Sequence, residues 1–338
     1  MSGKILFIYQ DERLPSSRIR VFNLLAELRQ QGFEPSAVRY PKTIADKIKT
    51  FRQMRHFDIV YLQKKLPTRL EAKFFRRYAR RLVFDFDDAI YYRDDRHKQT
   101  YSRARSLKFQ YLVRIADLVV AGNQILADYA AQFNPRVTVI PSAVETRNIA
   151  RKCYQSCQEK ESTAQAKVII GWVGGRGNLH HLAMLSSVFQ TLSKLYEIQV
   201  NVVCDAGVEI PGVEVRHIPW RLETQDQEIA QFDIGVMPLP DNKWTEGKCG
   251  YKALQYMAAA VPAVCSDVGT NRYLVEHGRE GFVVSSMDEF YQALNTLITD
   301  AELRKKMGLN ARRKVEEHFS IPVVGKKLAD KLSTLLLA

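Results

Sequence analysis

Apolar residues recur along this chain in two alternating patterns. Short continuous or period-two blocks predict buried strands, and stretches with apolar positions three or four apart predict amphipathic helices. Residues 4–9 form the first strand block. A loop at 10–17 follows, then a helix from 17 or 18 to 31 ended by Gly32, and a second strand over 33–40. This is the opening of a βαβ unit. Helical patterns at 45–57 and 67–81 flank a strand at 58–62, and LVFDFDDA at 82–89 is a strand running into three aspartates. Further strands are predicted at 116–121 and 137–140, with a helix at 124–132 between them. Residues 145–166 are polar and lack strong periodicity, as expected of an inter-domain linker. The strand pattern restarts at 167–173 and is followed by a glycine turn at 174–177 and a helix at 182–196. Strands recur at 199–204, 232–238 and 261–265, and residues 303–337 read as helical. Both halves therefore alternate β and α, which predicts an α/β protein of two parallel-sheet domains facing a cleft.

A length of 338 residues suits two domains, each able to bury its own core. The chain is 46% hydrophobic and 26% charged, ordinary for a soluble globular protein. No apolar run reaches membrane-spanning length, and the start reads as a strand in place of a signal peptide. Five scattered cysteines argue for a reducing cytoplasm and against a disulfide framework. Cys153 and Cys157 have no histidine or further cysteine close by, so a zinc site is not expected.

The net charge of +13 changes the picture because it is one-sided. Residues 1–150 hold 28 Lys+Arg against 15 Asp+Glu, and the remainder holds 22 against 22. Such asymmetry suggests that the first half meets an anionic partner. Between residues 42 and 81 basic side chains interleave with Phe, Met and Tyr. A basic amphipathic helix suits an anionic membrane surface, at about 1 kcal/mol per Lys or Arg. The same chemistry suits nucleic-acid phosphates, and a solvated face accounts for it too.

The densest candidate chemistry is WTEGKCGYKALQYMAAAVPAVCSDVGTNRYLVEHGREGF, residues 244–282. A Gly-Lys-Cys-Gly turn leads into a helical run at 251–260 that Pro262 stops. Gly269 and Thr270 open a second short helix, which Gly278 closes as a C′ glycine. Two helix N-termini in one neighbourhood offer N–H groups and partial positive charge to an anion. Lys248, Lys252 and either Gln255 or Tyr256 follow at helical spacing, hence on one face. Two ammonium groups and an amide there fit a diphosphate attached to a hydroxylated sugar, and a solvated lysine face fits the spacing equally well. The glycine turn Gly174-Gly175-Arg176-Gly177 is a weak phosphate signal by itself. Arg18 and Arg20 occupy the first turn of a helix, where each cation costs about 0.3–1 kcal/mol. An anion nearby would offset that, as would pairing of Arg18 with Asp11 or Glu12. In FDFDDA, Asp85 and Asp87 point to one side of the strand and Asp88 to the other. An acidic strand end is where an α/β sheet places chemistry, whether as a metal pair, a phosphatase-like nucleophile or neither.

Taken together, several segments resemble glycosyltransferase family 4. One branch of that family carries Gly-Lys-Cys-x-x-Lys-x-x-Gln-Tyr-Met-Ala where this chain has GKCGYKALQYMA. PSSRIRV, FDFDDAIY, AGNQILADYA, VTVIPS and IIGWVGG agree in the same order. The resemblance implies the GT-B fold, with two Rossmann-like domains and a C-terminal helix crossing back to the first. The implied boundaries are an acceptor domain at 1–145, a linker at 146–166, a nucleotide-sugar domain at 167–318 and the returning helix at 319–338. It also implies sugar transfer from a nucleotide diphosphate with retention at the anomeric carbon, with no essential metal or cofactor.

Residue by residue, the resemblance places the donor at Gly175, Arg176, Lys248, Cys249, Gly250, Tyr251, Lys252 and Gln255. The family's paired glutamates correspond here to Gly247 and Gln255, and an amide still bonds ribose hydroxyls. His181 stands where many members have a diphosphate lysine, and LPSSR replaces the first-loop double glycine. Asp87 stands roughly where many members have a histidine, so Asp87 and Asp88 are the expected catalytic pair. The acceptor side is expected at Ser17, Arg18 and Asn123, and Trp220 and Trp244 are candidates for a base pocket. The acceptor is expected to be a saccharide or a lipid-linked one, with the first domain docking peripherally at the inner face of the membrane. Two rivals remain open: a nucleotide-sugar-binding relative without catalysis, and a nucleic-acid-binding module, which has no motif in its favour.

Overall fold

The computed structural model of the protein describes residues 3–154 and 167–338. The chain divides into two compact units, the first comprising Met1–Ala143, Asn242–Cys249 and Phe319–Ala338, and the second Val144–Asp241 and Gly250–His318. Of the stretch expected as a linker, residues 155–166 lie outside the described residues, and its earlier part belongs to the second unit. There Tyr154 donates through its hydroxyl to Ala260 O at 2.7 Å, and Lys152 pairs with Asp233 at 2.9 Å.

The first unit is built on a six-stranded sheet. Its strands are β1 (Lys4–Tyr9), β2 (Glu34–Arg39), β3 (Ile59–Gln63), β4 (Arg81–Phe86), β5 (Leu118–Ala121) and β6 (Val137–Val139). Their order is β2-β1-β3-β4-β5-β6, and every neighbouring pair is parallel. β1, β3 and β4 are apolar almost throughout because helices cover both faces of the sheet. One face packs Phe51, Met54, Phe75 and Phe109, and the other packs Val21, Leu24, Val324 and Leu328. Parallel neighbours require each connection to return antiparallel to the strands. The helices Ile44–Met54 and Arg69–Tyr78 therefore start at the carboxyl end of the sheet and finish at its amino end. Thr43 caps the first, and Thr68 with Glu71 forms a capping box on the second. The closing helix, Ile321–Leu337, packs against Asn23–Gln30 and fills the core with Val324, Leu328 and Leu332.

The second unit repeats the architecture with β7 (Val168–Val173), β8 (Ile198–Cys204), β9 (Val215–Pro219), β10 (Ile234–Met237), β11 (Ala263–Ser266) and β12 (Gly281–Val284). The order β12-β11-β10-β7-β8-β9 is again wholly parallel. In each sheet the first strand lies between strands reached by opposite crossovers. The carboxyl ends at such a switch point are where α/β sheets place ligand sites.

Several elements depart from the periodicity. The 18–31 helix contains a π-turn at Arg18–Phe22, which widens the helix beside the sheet. The helical stretch at 303–337 is two helices, Ala301–His318 and Ile321–Leu337, separated near Ser320 by the approach to Pro322. The helix Arg103–Ile115 and the strands β9 and β12 carry too short or too mixed a pattern to have been read locally.

Arg20, in the π-turn, is buried with Asp85 of β4. The two are ion-paired, Arg20 Nη1 donates to Ile140 O at 2.6 Å, and Tyr61 donates to Asp85 Oδ1 at 3.0 Å. Burial alone would lower the Arg20 pKa, but Asp85 more than offsets it and holds the guanidinium charged. Removing only the cation leaves a carboxylate in a dry interior. We expect Arg20→Met to lower unfolding stability by about 3–5 kcal/mol, read from the urea midpoint. Arg20→Met combined with Asp85→Leu should recover most of that loss, and a double variant no better than the single one would show that the pair is not the cause.

Candidate functional site

In the first unit, the carboxyl ends of β3, β4 and β5 meet the segment Asn242–Cys249. Lys64 follows β3 in a left-handed conformation, φ 57°, which is uncommon for a residue with a Cβ. Its N–H donates to Asp85 O at 2.7 Å, so the strained turn is held by the neighbouring strand. Its ammonium lies 2.8 Å from Asp87 Oδ1 and also bonds Asp88 Oδ2. Lys248 Nζ approaches Asp88 Oδ1 from the other side at 3.6 Å and stands 4.9 Å above the Trp244 ring. Two lysines and two aspartates thus balance one another in a half-buried cluster. Burial alone would raise the Asp88 pKa, but Lys248 and then Lys64 pull it below the usual carboxylate value. Burial likewise opposes the charge on Lys64, and Asp87 and Asp88 more than offset it.

The 242–249 segment is fitted closely to this cluster. Asn123 Nδ2 donates to Gly247 O and Lys248 O, both at 3.2 Å, while its Oδ1 caps the Gln124–Ala131 helix at Leu126 N–H, 2.8 Å away. The Cys249 thiol donates to Asp87 O at 3.1 Å, and burial pushes its pKa upward. A Cβ on Gly247 would lie 2.7 Å from Ala89 Cβ and 2.8 Å from Ala89 N. A larger side chain has no room there, which accounts for the glycine at that position.

Ser17 and Asn123, expected to face an acceptor, are instead buried. Ser17 Oγ lies 3.5 Å from Gln63 Oε1, and both ends of the Asn123 amide are engaged, so these side chains hold the loops together. Arg18 is half-buried in the π-turn, while Asp11 pairs with Arg39 and Glu12 accepts from Tyr9. Trp244 packs against the first unit's core.

In the second unit the corresponding strand end is that of β7. The turn Gly174-Gly175-Arg176 follows that strand, and Arg176 Nε bonds Asp205 Oδ2 at 2.8 Å in an exposed position. The helix Tyr251–Ala258 begins after Gly250, whose φ of 66° is left-handed. Lys252 in its first turn stands 5.5 Å above the Trp172 ring. Its Cε is so near Gly174 that a Cβ there would lie 2.8 Å away. Gln255 Nε2 donates to Gln225 Oε1 at 3.2 Å, and Trp220 Nε1 donates to the same oxygen at 3.1 Å. Lys252, the glycine turn and the Gln255–Gln225–Trp220 chain are thus brought to the end of one sheet.

Two spacing arguments need correction. Lys248 does not share a helical face with Lys252, because left-handed Gly250 starts the helix at Tyr251 and leaves Lys248 extended. Tyr256 is fully buried, with its hydroxyl donating to Val236 O and accepting from Val173 N–H. The second short helix is the single turn Asn271–Leu274, and Gly278 shapes the turn into β12 by donating to Gly281 O. Lys64 and Gln225 escaped sequence reasoning because each belongs to its site only through a partner 24 or 30 residues away. A lone lysine after a strand or a glutamine beginning a helix carries no local signal.

Two parallel six-stranded α/β units in one chain constitute the GT-B fold. The family profile described as glycosyl transferases group 1 matches residues 167–300. The curated relatives include a putative glycosyltransferase, YtcC, of Bacillus subtilis (strain 168), 34% identical over 92 residues. That match covers 26% of this chain and 22% of the relative, so it reaches only a small part of either protein. Among solved structures, HepE of Anabaena in complex with UDP and glucose superposes with a TM-score of 0.74 at 16% identity, covering 98% of this chain and 100% of that one. Sucrose-phosphate synthase from Thermosynechococcus elongatus gives a TM-score of 0.77 at 12% identity, covering 99% of each chain. At such identities the likeness is one of fold.

The Lys64 cluster makes a prediction about pH. A carboxylate with a depressed pKa contributes stability above its unfolded pKa, near 4, and loses it as pH falls through the folded value. Lys64→Met withdraws one cation from Asp88, so the acid limb of the stability profile should move to higher pH, and Lys64→Arg should restore much of it. Urea midpoints measured from acid to neutral pH test this, and parallel profiles for wild type and Lys64→Met would exclude it.

Proposed function

We propose that the protein is a glycosyltransferase that moves a sugar from a nucleotide-diphosphate donor to a saccharide or lipid-linked acceptor with retention of configuration. The observation that carries this is the convergence of Lys252, the N-terminus of the Tyr251–Ala258 helix and the Gly174–Arg176 turn at the end of β7. A diphosphate there would meet the ammonium, the helix N-terminus and Arg176 after a shift of Arg176 away from Asp205. The Gln255–Gln225–Trp220 chain at the same end offers an amide carbonyl to ribose hydroxyls and an aromatic face to a base.

As the bond from the sugar to the diphosphate breaks, negative charge collects on the departing phosphate oxygens. Preorganised cations and N–H groups stabilise that charge where it develops, which is usually the largest catalytic contribution. In the first unit, Lys64 is ion-paired with Asp87 and Asp88, and Lys248 with Asp88, at the carboxyl end of β4. We assign the two aspartates to the transferring sugar and the attacking acceptor hydroxyl, the role expected of the acidic strand end. Resemblance to HepE, solved with UDP and glucose, makes UDP-glucose the first donor to try.

Lys252→Ala should weaken UDP binding by about 1.5–3 kcal/mol, or about tenfold to a hundredfold in Kd, the scale of a charge-assisted hydrogen bond. Unchanged affinity by calorimetry would remove Lys252 from the donor site. Asp87→Asn should lower kcat far more than it changes donor affinity, because a contact used mainly in the transition state leaves ground-state binding intact. Nucleotide-sugar binding without any turnover by the wild-type chain would leave a binding protein in place of an enzyme.

A further inference from the structure

The helices Ile44–Met54 and Arg69–Tyr78 lie side by side on the first unit, joined by the ion pair Lys47–Glu71 at 2.9 Å and by the stacked rings of Phe51 and Phe74, 5.5 Å apart. Their inward positions, Phe51, Met54, Ala72 and Phe75, are in the core. Beside those rows, Ile44 is 77% exposed, Ile48 48%, Leu70 64% and Phe74 40%. Each helix thus presents two large apolar side chains four residues apart on one side, and the Phe51–Phe74 contact brings the two sides together. Singly exposed apolar residues need no explanation, but four on one two-helix face do. Lys42, Lys49, Arg52, Arg69, Lys73 and Arg77 on and beside these helices are exposed, and none forms an ion pair among the described residues. Arg76 and Arg80, at the far ends, are committed to Asp117 and Asp58 and belong to the scaffold.

We propose that this two-helix face docks the protein onto the surface of an anionic phospholipid bilayer. Apolar side chains rimmed by unpaired cations are complementary to a layer with an apolar interior and an anionic surface. A protein partner would need no such excess of one charge, and a nucleic acid would leave the four aliphatic and aromatic groups without an apolar neighbour. The place of the face in the fold adds a second argument. Ile44 and Leu70 lie in the first turns of their helices, at the carboxyl end of the sheet, and Ile48 and Phe74 follow one turn on. Lys64, Asp87 and Asp88 stand at that same end. Docking therefore brings the acidic strand end toward the lipid surface. That restricts the acceptor to one carried by a lipid, an extension that rests on the transferase reading, whereas docking itself does not.

Flotation of the full chain with vesicles tests the proposal. We expect binding to vesicles of phosphatidylcholine mixed with phosphatidylglycerol at low salt, none to phosphatidylcholine alone, and loss of binding as added salt shortens the screening length. Leu70→Ser with Phe74→Ser should reduce the bound fraction about tenfold, and because Phe74 also stacks on Phe51, Leu70→Ser alone, at a side chain 64% exposed, should lower it with the melting temperature unchanged. Lys49→Glu with Lys73→Glu should do the same. No flotation at low salt, or binding that is indifferent to the Leu70 and Phe74 changes, would overturn the proposal. So would a dimer in solution that Phe74→Ser dissociates, or binding to nucleic acid in preference to vesicles. A chain that floats as expected but turns over no nucleotide sugar would overturn the transferase reading and leave the docking face standing.

Discussion

The first unit depends on neutralising charge that its fold takes out of water. Three aspartates fall within four residues at the end of a central strand, where they would repel one another and lose their hydration. Arg20 answers Asp85, Lys64 bridges Asp87 and Asp88, and Lys248 completes the set. Each cation comes from a different element: a π-turn, the end of β3, and the segment between β10 and the Tyr251–Ala258 helix. Electrostatic balance consequently ties four separate stretches of chain to one sheet end. The left-handed backbone of Lys64 is maintained by that tie, since its N–H is bonded to the strand carrying the aspartates.

The second unit uses charge differently. Lys252 stands at a helix start over the Trp172 ring, and Arg176 in a glycine turn is paired with Asp205. The first unit's cluster, by contrast, sets two lysines against two aspartates. In the proposed transferase, the second unit supplies groups for a diphosphate and the first a pair of carboxylates. The basic excess of the first half does not reside in its candidate site, where lysines and aspartates balance. Much of it stands on the outer helices, next to side chains that the core leaves uncovered.

Most strands and their parallel α/β character were legible in the sequence, because each rests on local pattern. A fully buried strand must be apolar throughout, and a helix on a sheet must be apolar on one side, so 4–9, 82–86 and 168–173 announce themselves. The GKCGYKALQYM segment and the acidic strand end were also visible as residue strings. Which of those residues cooperate was not. Lys248 and Lys252 have the spacing of one helical face, yet Gly250 turns the chain between them, and a positive φ at a glycine leaves no mark on periodicity. Ser17 and Asn123 look like exposed polar loop residues until the structure spends their hydrogen bonds internally. Lys64, Gln225 and the exposed aspect of Phe74 follow from partners far away in the chain. Local sequence determines what a segment can form, because backbone preference and burial pattern act within a few residues. Which charges meet, and which apolar side chains stay in water, only the tertiary structure decides, because those depend on contacts that chain folding alone brings into range.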